Sequence, residues 1–175
     1  QSIRIKKIKR IKGEFTAPAD KSVSQRAVMI GSIARGISYI DNFLDCDDSQ
    51  RAIAAFKALG IKIRLRKPKK GLSTLYIQGK GLSGLKPSKK SIYIGNSGTT
   101  MRLICGILAA QNFKTVLKGD RSLTKRPMGR ITSPLRKMGA VIIARKKGKE
   151  EYPPLKIHPG KLRPINHSMK LKSAQ

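Results

Sequence analysis

The stretch IGNSGTTMRLICGILA, residues 94–109, decides how the chain is read. Ser91–Ile94 reads as a strand, Gly95-Asn96-Ser97-Gly98 as a turn, and Thr99 to Ala110 as an apolar helix. A strand that turns directly into a helix on small polar residues places free backbone N–H groups and the positive dipole end at one spot, which suits an anion. Gly98 allows a ligand to come close to the backbone there.

Upstream, the same plan is met again. Thr16-Ala17-Pro18-Ala19-Asp20 is a break, and a helix is expected from about Ser22 to Arg35. Ser22 and Gln25 have capping-box spacing. Val23, Ala27, Ile30 and Ala34 form one apolar stripe, and Gly36 stops the helix. Tyr39-Ile40 begins a short strand. An acidic knot follows with Asp41, Asp45, Asp47 and Asp48, of which Asp47 or Asp48 caps a helix over Ser49–Leu59 that Gly60 closes. Strands around Ile61–Leu65 and Leu75–Gln78 are joined by the turn Lys67-Pro68-Lys69-Lys70-Gly71.

Downstream of the opening stretch come a strand at Thr115–Leu117 and a helix over Pro127–Met138, kinked at Pro134 and ended by Gly139. Val141–Ala144 and Leu155–Ile157 close the pattern. Arg26 and Arg102 hold matching places, as do Ala34 and Ala110, and Leu59-Gly60 and Met138-Gly139. The offset is about 76 to 79 residues, an internal repeat. The fold class is therefore α/β, built of repeated βαβαββ units. Residues 1–18 supply a leading strand, with Ile3 and Ile5 alternating with basic residues, and a crossover. Residues 19–90 form the first repeat and 91–167 the second. Residues 168–175 begin a third, at Lys172-Ser173-Ala174-Gln175. With Gln1 in place of Met, the chain is expected to be a piece of a longer protein.

Composition narrows the partners. Of 175 residues, 39 are Lys or Arg and 9 are Asp or Glu, a formal net charge of +30. That excess selects anions, whether nucleic acid, anionic lipid or a phosphorylated or carboxylated small molecule. Apolar residues, at 39%, are enough for a packed core. Cys46 and Cys105 are too few for a disulfide framework and are expected to be reduced thiols in a cytoplasmic protein. No apolar run is long enough to span a membrane, and the basic N-terminus lacks a signal peptide's apolar core.

Several motifs are better explained structurally. Gly79-Lys80-Gly81-Leu82-Ser83-Gly84 satisfies G-x-G-x-x-G, but no helix follows it and no acid lies between Asp48 and Asp120, so it reads as a turn. His158 and His167 lack metal-ligand spacing, so no metal is expected. Lys and Arg are dense at residues 4–12, 62–70, 86–90 and 145–149, yet aromatics are only 5% and none interleaves with the charge as a stacking signature. Non-specific nucleic-acid affinity at low salt is expected whatever the function. The alternative to an enzyme is a catalytically inactive basic module that binds RNA or another polyanion.

The positional signal is sharper. Asp20-Lys21-Ser22, Asn96-Ser97-Gly98-Thr99 and Ser173-Ala174-Gln175 each stand at an expected helix start, and Arg126 beside Pro127 at a fourth. Capping explains any one alone. Their recurrence at equivalent places of a repeat favours one shared anionic site.

These residues resemble the enolpyruvyl transferases, and among them the 5-enolpyruvylshikimate-3-phosphate synthases. The resemblance rests on PADKSVSQRA at 18–27, LDCDDSQRAIAAFKALG at 44–60, IGNSGTTMRLICGILA at 94–109, GDRSLTKRPMGRITSPLRKMGA at 119–140 and YPPLKI at 152–157. It implies two domains of three βαβαββ units each, an inside-out α/β barrel with helix N-termini facing the cleft, of which this chain holds an N-terminal portion. It implies transfer of the enolpyruvyl group of phosphoenolpyruvate to the 5-hydroxyl of shikimate 3-phosphate, with release of phosphate and no cofactor. By the same resemblance Lys21 contacts both substrates, while Ser22, Arg26, Ser173 and Gln175 hold shikimate 3-phosphate. Asn96, Gly98 and Arg126 line the phosphoenolpyruvate pocket, and Gly98 is consistent with a family member open to glyphosate. Lys21 would donate a proton if neighbouring cations lower its pKa. Asp41, Asp47 and Asp48 are not assigned as the base, since capping explains them better. The family's aspartate base and further basic residues belong to sequence beyond Gln175. The isolated chain is expected to be inactive or nearly so, and to expose an apolar patch where a third repeat packs.

Overall fold

Two sheets and four helices organise the residues that the computed structural model describes, namely 2–4, 6, 7, 10, 12–15, 17–67 and 72–168. In the first sheet β1 (Arg35–Ile40) and β2 (Lys62–Arg66) flank β3 (Thr74–Lys80), each antiparallel to it. In the second the order is β4-β5-β7-β6. Here β4 (Ile92–Tyr93) runs parallel to β5 (Thr115–Lys118), and β7 (Glu150–His158) pairs antiparallel with both β5 and β6 (Val141–Lys147). The helices α1 (Lys21–Ile33) and α2 (Asp47–Ala58) alternate with the strands of the first sheet, α3 (Gly98–Ala109) and α4 (Gly129–Lys137) with those of the second.

Strand alternation sets the core. Leu75 and Ile77 of β3 point inward while Gln78 between Ile77 and Gly79 is exposed, as the two-residue period of a pleated strand demands. Leu117, Leu155 and Ile157 do the same in the second sheet. They meet Phe56, Leu59, Met101, Ile104 and Leu108 from the helices in one continuous buried cluster. Cys105 lies within it, and burial pushes its thiol up to about 12. Both cysteines are free.

The structure departs from the sequence reading in several places. No strand forms among the described residues of the leading segment, where Ile3 is 89% exposed. Ile5 and the turn residues Pro68 to Gly71 lie outside the described residues. α1 begins one residue before and ends two residues before the expected bounds, and Gly36, with φ +96°, belongs to β1 instead of stopping a helix. Its cap is Asp20, whose carboxylate accepts from the Val23 amide at 2.6 Å. The Ser22–Gln25 box does not form, because Gln25 is fully buried and its amide reaches α3. The stripe of Val23 and Ile30 faces outward, at 54% and 64% exposure. The buried face is Ser24, Gln25, Val28, Met29, Gly31 and Ser32, of which Ser24, Gly31 and Ser32 are small enough to let α1 close on its neighbours. A Cβ on Gly31 would sit 2.9 Å from Ile77 Cδ1. α2 is capped at Cys46, so Asp47 and Asp48 fall in its first turn, with Ser49 Oγ accepting from the Cys46 amide at 3.0 Å. α4 begins at Gly129 after a 3-10 turn at Leu123–Lys125, so Arg126 sits in an extended link between the two.

The G-x-G-x-x-G stretch is indeed structural. A Cβ on Gly79 would lie 2.3 Å from Gly31 O and 2.4 Å from Ala34 O. The Gly81 amide donates to Ala34 O at 2.8 Å. These glycines meet the carbonyl end of α1, the wrong polarity for a phosphate.

Candidate active site

Helices α1 and α3 begin side by side, and Gln25 is the reason. Its Nε2 donates to Ser97 Oγ at 2.6 Å and Thr100 Oγ1 at 2.9 Å. Ser97 caps α3 and accepts from the Thr100 amide. The helical ladder starts at Met101, which leaves Gly98 and Thr99 in the open first turn. One buried amide thus ties the second turn of α1 to the cap of α3.

The two helix starts open onto a cleft of about 570 Å³ lined by Lys21, Asp48, Asn96, Gly98, Thr99, Arg102 and Arg126. Three cations face one carboxylate, so the cleft is electropositive. Arg126 Nη2 donates to Asn96 Oδ1 and, at 3.4 Å, to Ser122 Oγ. Arg102 Nη2 donates to Pro127 O at 3.3 Å. Burial, and then the charges of Arg130 and Arg126, push the Arg102 guanidinium below its ordinary range. An anion placed among these groups relieves that repulsion.

Of the residues singled out in the sequence, Lys21, Asn96, Gly98 and Arg126 line the cleft together. Ser22 is half-buried and Arg26 exposed on α1 beside it. Ser173 and Gln175 lie outside the described residues. The expectation for Lys21 changes. Its ammonium pairs with Asp48 Oδ2 at 2.9 Å, and the hydrogen bond and charge of Asp48 raise its pKa, outweighing desolvation and Arg126. Beside Asp48 the Lys21 pKa is thus raised and not lowered. Asp48, read as a cap, is instead the cleft's own counter-ion. Arg102 and Thr99 were not assigned to the site. The repeat equivalence of Arg26 and Arg102 was the available signal, and Thr99 was recognised only as a hydroxyl at a helix start.

At Gly98 a side chain would crowd the cleft's guanidiniums. A Cβ there would stand 2.9 Å from Arg102 Nη1 and 3.2 Å from Arg126 Nη1. Gly98→Ala is expected to push both guanidiniums aside and weaken inorganic phosphate binding about tenfold, or about 1.4 kcal/mol. Titration calorimetry of both proteins checks this, and unchanged affinity removes Gly98 from the site.

The family model of EPSP synthase (3-phosphoshikimate 1-carboxyvinyltransferase) matches residues 5–175. The 3-phosphoshikimate 1-carboxyvinyltransferase of Hydrogenovibrio crunogenus is 48% identical over 166 residues, covering 94% of this chain and 36% of the relative. That of Thermodesulfovibrio yellowstonii is 48% identical over 171 residues, covering 98% and 38%. A solved EPSP synthase from Acinetobacter baumannii superposes with a TM-score of 0.83 at 44% identity, over 93% of this chain and 36% of that one. The chain therefore spans little more than a third of the length of these relatives. Its fold is mixed α/β and covers part of the enolpyruvyl transferase fold. With the repeat, the paired helix starts and the family match in agreement, the chain belongs to the EPSP synthase family.

Proposed function

We propose that this chain is the N-terminal portion of an enzyme that transfers the enolpyruvyl group of phosphoenolpyruvate to the 5-hydroxyl of shikimate 3-phosphate, releasing phosphate, as a step of aromatic amino-acid biosynthesis. The observation that carries the reading is the convergence of Lys21, Arg102 and Arg126 on two adjacent helix starts. Both substrates are multiply anionic, and holding them side by side requires fixed cations and amides.

The reaction protonates the methylene carbon of phosphoenolpyruvate while the hydroxyl oxygen bonds to the adjacent carbon. The resulting tetrahedral intermediate loses phosphate, and the new methyl group returns a proton to restore the double bond. Residues of this chain bind and orient. Arg126, held by Asn96, presents a fork suited to a carboxylate or phosphate. Gly98 and Thr99 offer amides at the start of α3. Lys21 spans the two subsites by leaving Asp48 for the substrate, and Ser22 and Arg26 hold shikimate 3-phosphate on the α1 side. Ser173 and Gln175, outside the described residues, bind the same substrate in this reading. The proton-transfer partners and the remaining phosphoenolpyruvate contacts belong to a following portion of the enzyme, which is this chain's partner. The repeats divide at residues 19–90 and 91–167, with a third starting at 168. The setting is cytoplasmic; among the described residues no helix is long and apolar enough to cross a membrane.

Titration calorimetry with shikimate 3-phosphate on the 175-residue chain tests the reading. Weak binding, lost in Lys21→Ala with Arg26→Ala, is expected, together with no phosphate release from phosphoenolpyruvate. Absence of shikimate 3-phosphate binding overturns the substrate, and sustained turnover overturns the partial-enzyme reading.

A further inference from the structure

Two small anions occupy only a few of the 39 basic side chains. Much of the rest is distributed over the sheet faces turned away from the helices. On the first sheet the register assembles something that linear order conceals. Tyr39 of β1 lies opposite Tyr76 of β3, and Tyr76 lies opposite Arg64 of β2. The rings of Tyr39 and Tyr76 meet edge to face at 5.0 Å, and Tyr39 is 64% exposed. With strands about 4.8 Å apart, the row Tyr39–Tyr76–Arg64 crosses about 10 Å of open sheet.

The neighbouring rows continue the pattern. Lys62 and Arg66 lie on the same face as Arg64, both exposed, and none of the ion pairs among the described residues engages these three cations. Gln78, opposite Lys62, adds an amide. Asp41 beside this face accepts from Thr74 Oγ1 at 2.7 Å, and Asp45 is paired with Lys67. The face thus places two aromatic rings beside a line of three cations, with polar groups between.

We propose that this outer face of the first sheet is a binding surface for single-stranded RNA. A base stacks on the free face of Tyr39 or Tyr76, the side chains of Lys62, Arg64 and Arg66 neutralise phosphates along β2, and Gln78 bonds a base edge. Single strands are favoured over duplex because the rings lie on an open sheet and need unstacked bases. A lipid surface is disfavoured, since among the described residues of the three strands Ile37 is the only aliphatic side chain on this face. The surface lies on the opposite side of the sheet from the helices and is independent of the cleft at the starts of α1 and α3.

Fluorescence anisotropy with a labelled oligouridine of about twelve residues tests the assignment. Tyr39→Ala with Tyr76→Ala is expected to weaken binding about tenfold or more without altering the salt dependence. Arg64→Gln with Arg66→Gln is expected to lower the slope of log affinity against log salt by about 1.4, two phosphates at about 0.7 each. Arg145→Gln with Lys147→Gln removes the same charge from the second sheet and is expected to change the slope by less than half as much. Equal loss from that control pair shows net charge alone at work and overturns the proposal. So does failure of oligouridine to bind, or equally tight, tyrosine-dependent binding to anionic vesicles. The two arginines are exposed and outside the core, so their variant tests the proposal even if the tyrosine variant folds poorly.

Discussion

Gly79→Ala is expected to destabilise the protein by about 3 kcal/mol or more, one of the two largest effects of a single methyl or side-chain change here. The added Cβ would stand 2.3 Å from Gly31 O and 2.4 Å from Ala34 O, both backbone atoms that no rotamer change can move. β3 and α1 must separate, and the Gly81–Ala34 hydrogen bond that fixes the turn goes with them. For a chain of this size the melting temperature should fall by about 6 to 12 °C. The control is Gly106→Ala, in the interior of α3 with nothing within 4 Å of the new Cβ. It is expected to be neutral or stabilising by up to about 1 kcal/mol. Thermal denaturation of the two variants separates them, and equal effects show that the α1–β3 contact is not tight.

The second large effect is at Glu151. Its carboxylate accepts from Arg136 Nη1 at 2.7 Å and from the Thr132 hydroxyl, while its backbone oxygen accepts from the Met128 amide at 2.7 Å. Arg136 also donates twice to Ile142 O. This network joins α4, β6 and β7 and anchors the link that carries Arg126 into the cleft. Burial acts to raise the Glu151 pKa, but the hydrogen bonds from Arg136 and Thr132 and the charges of Arg136 and Lys146 outweigh it, and the net shift is downward. Glu151→Ala strands the Arg136 guanidinium and is expected to cost about 3 kcal/mol. Removing Arg136 and Glu151 together should cost less than the sum of the single losses.

The sign of the pH effect follows from the lowered pKa. The stabilisation is fully present above the ordinary carboxyl pKa of 4.5 and is lost as pH falls through the lower folded value. Denaturant midpoints measured from pH 6 down to pH 3 should therefore converge for the wild type and Glu151→Gln. A gap that persists at the acid end would show that the carboxylate's charge is not what stabilises the link.

Much of the site was legible because its signals are local. Small polar residues before an apolar run mark a helix start within a few positions, and two such starts at a regular offset mark equivalent places in a repeat. Lys21, Asn96 and Gly98 stand at such starts, while Arg126 was placed at a fourth start that the structure moves to Gly129. The apolar stripe of α1 misled because Val23 and Ile30 repeat at helical spacing as well as the true buried face does. Periodicity finds a face without saying which neighbour it meets.

What tertiary structure decided lies at long sequence separation. Gln25 bonds to Ser97 and Thr100, and Lys21 to Asp48, only because α1 packs between α2 and α3. That packing turned a presumed cap into a counter-ion and set beside Lys21 a carboxylate that raises its pKa. Tyr39, Tyr76 and Arg64 look unrelated along the chain and form one row because antiparallel register sets them side by side. The sequence by itself determined the order of the elements and led to the expectation of an anionic ligand. Helix packing and strand register decided which charges face one another, since those distances depend on how the elements close over a common core.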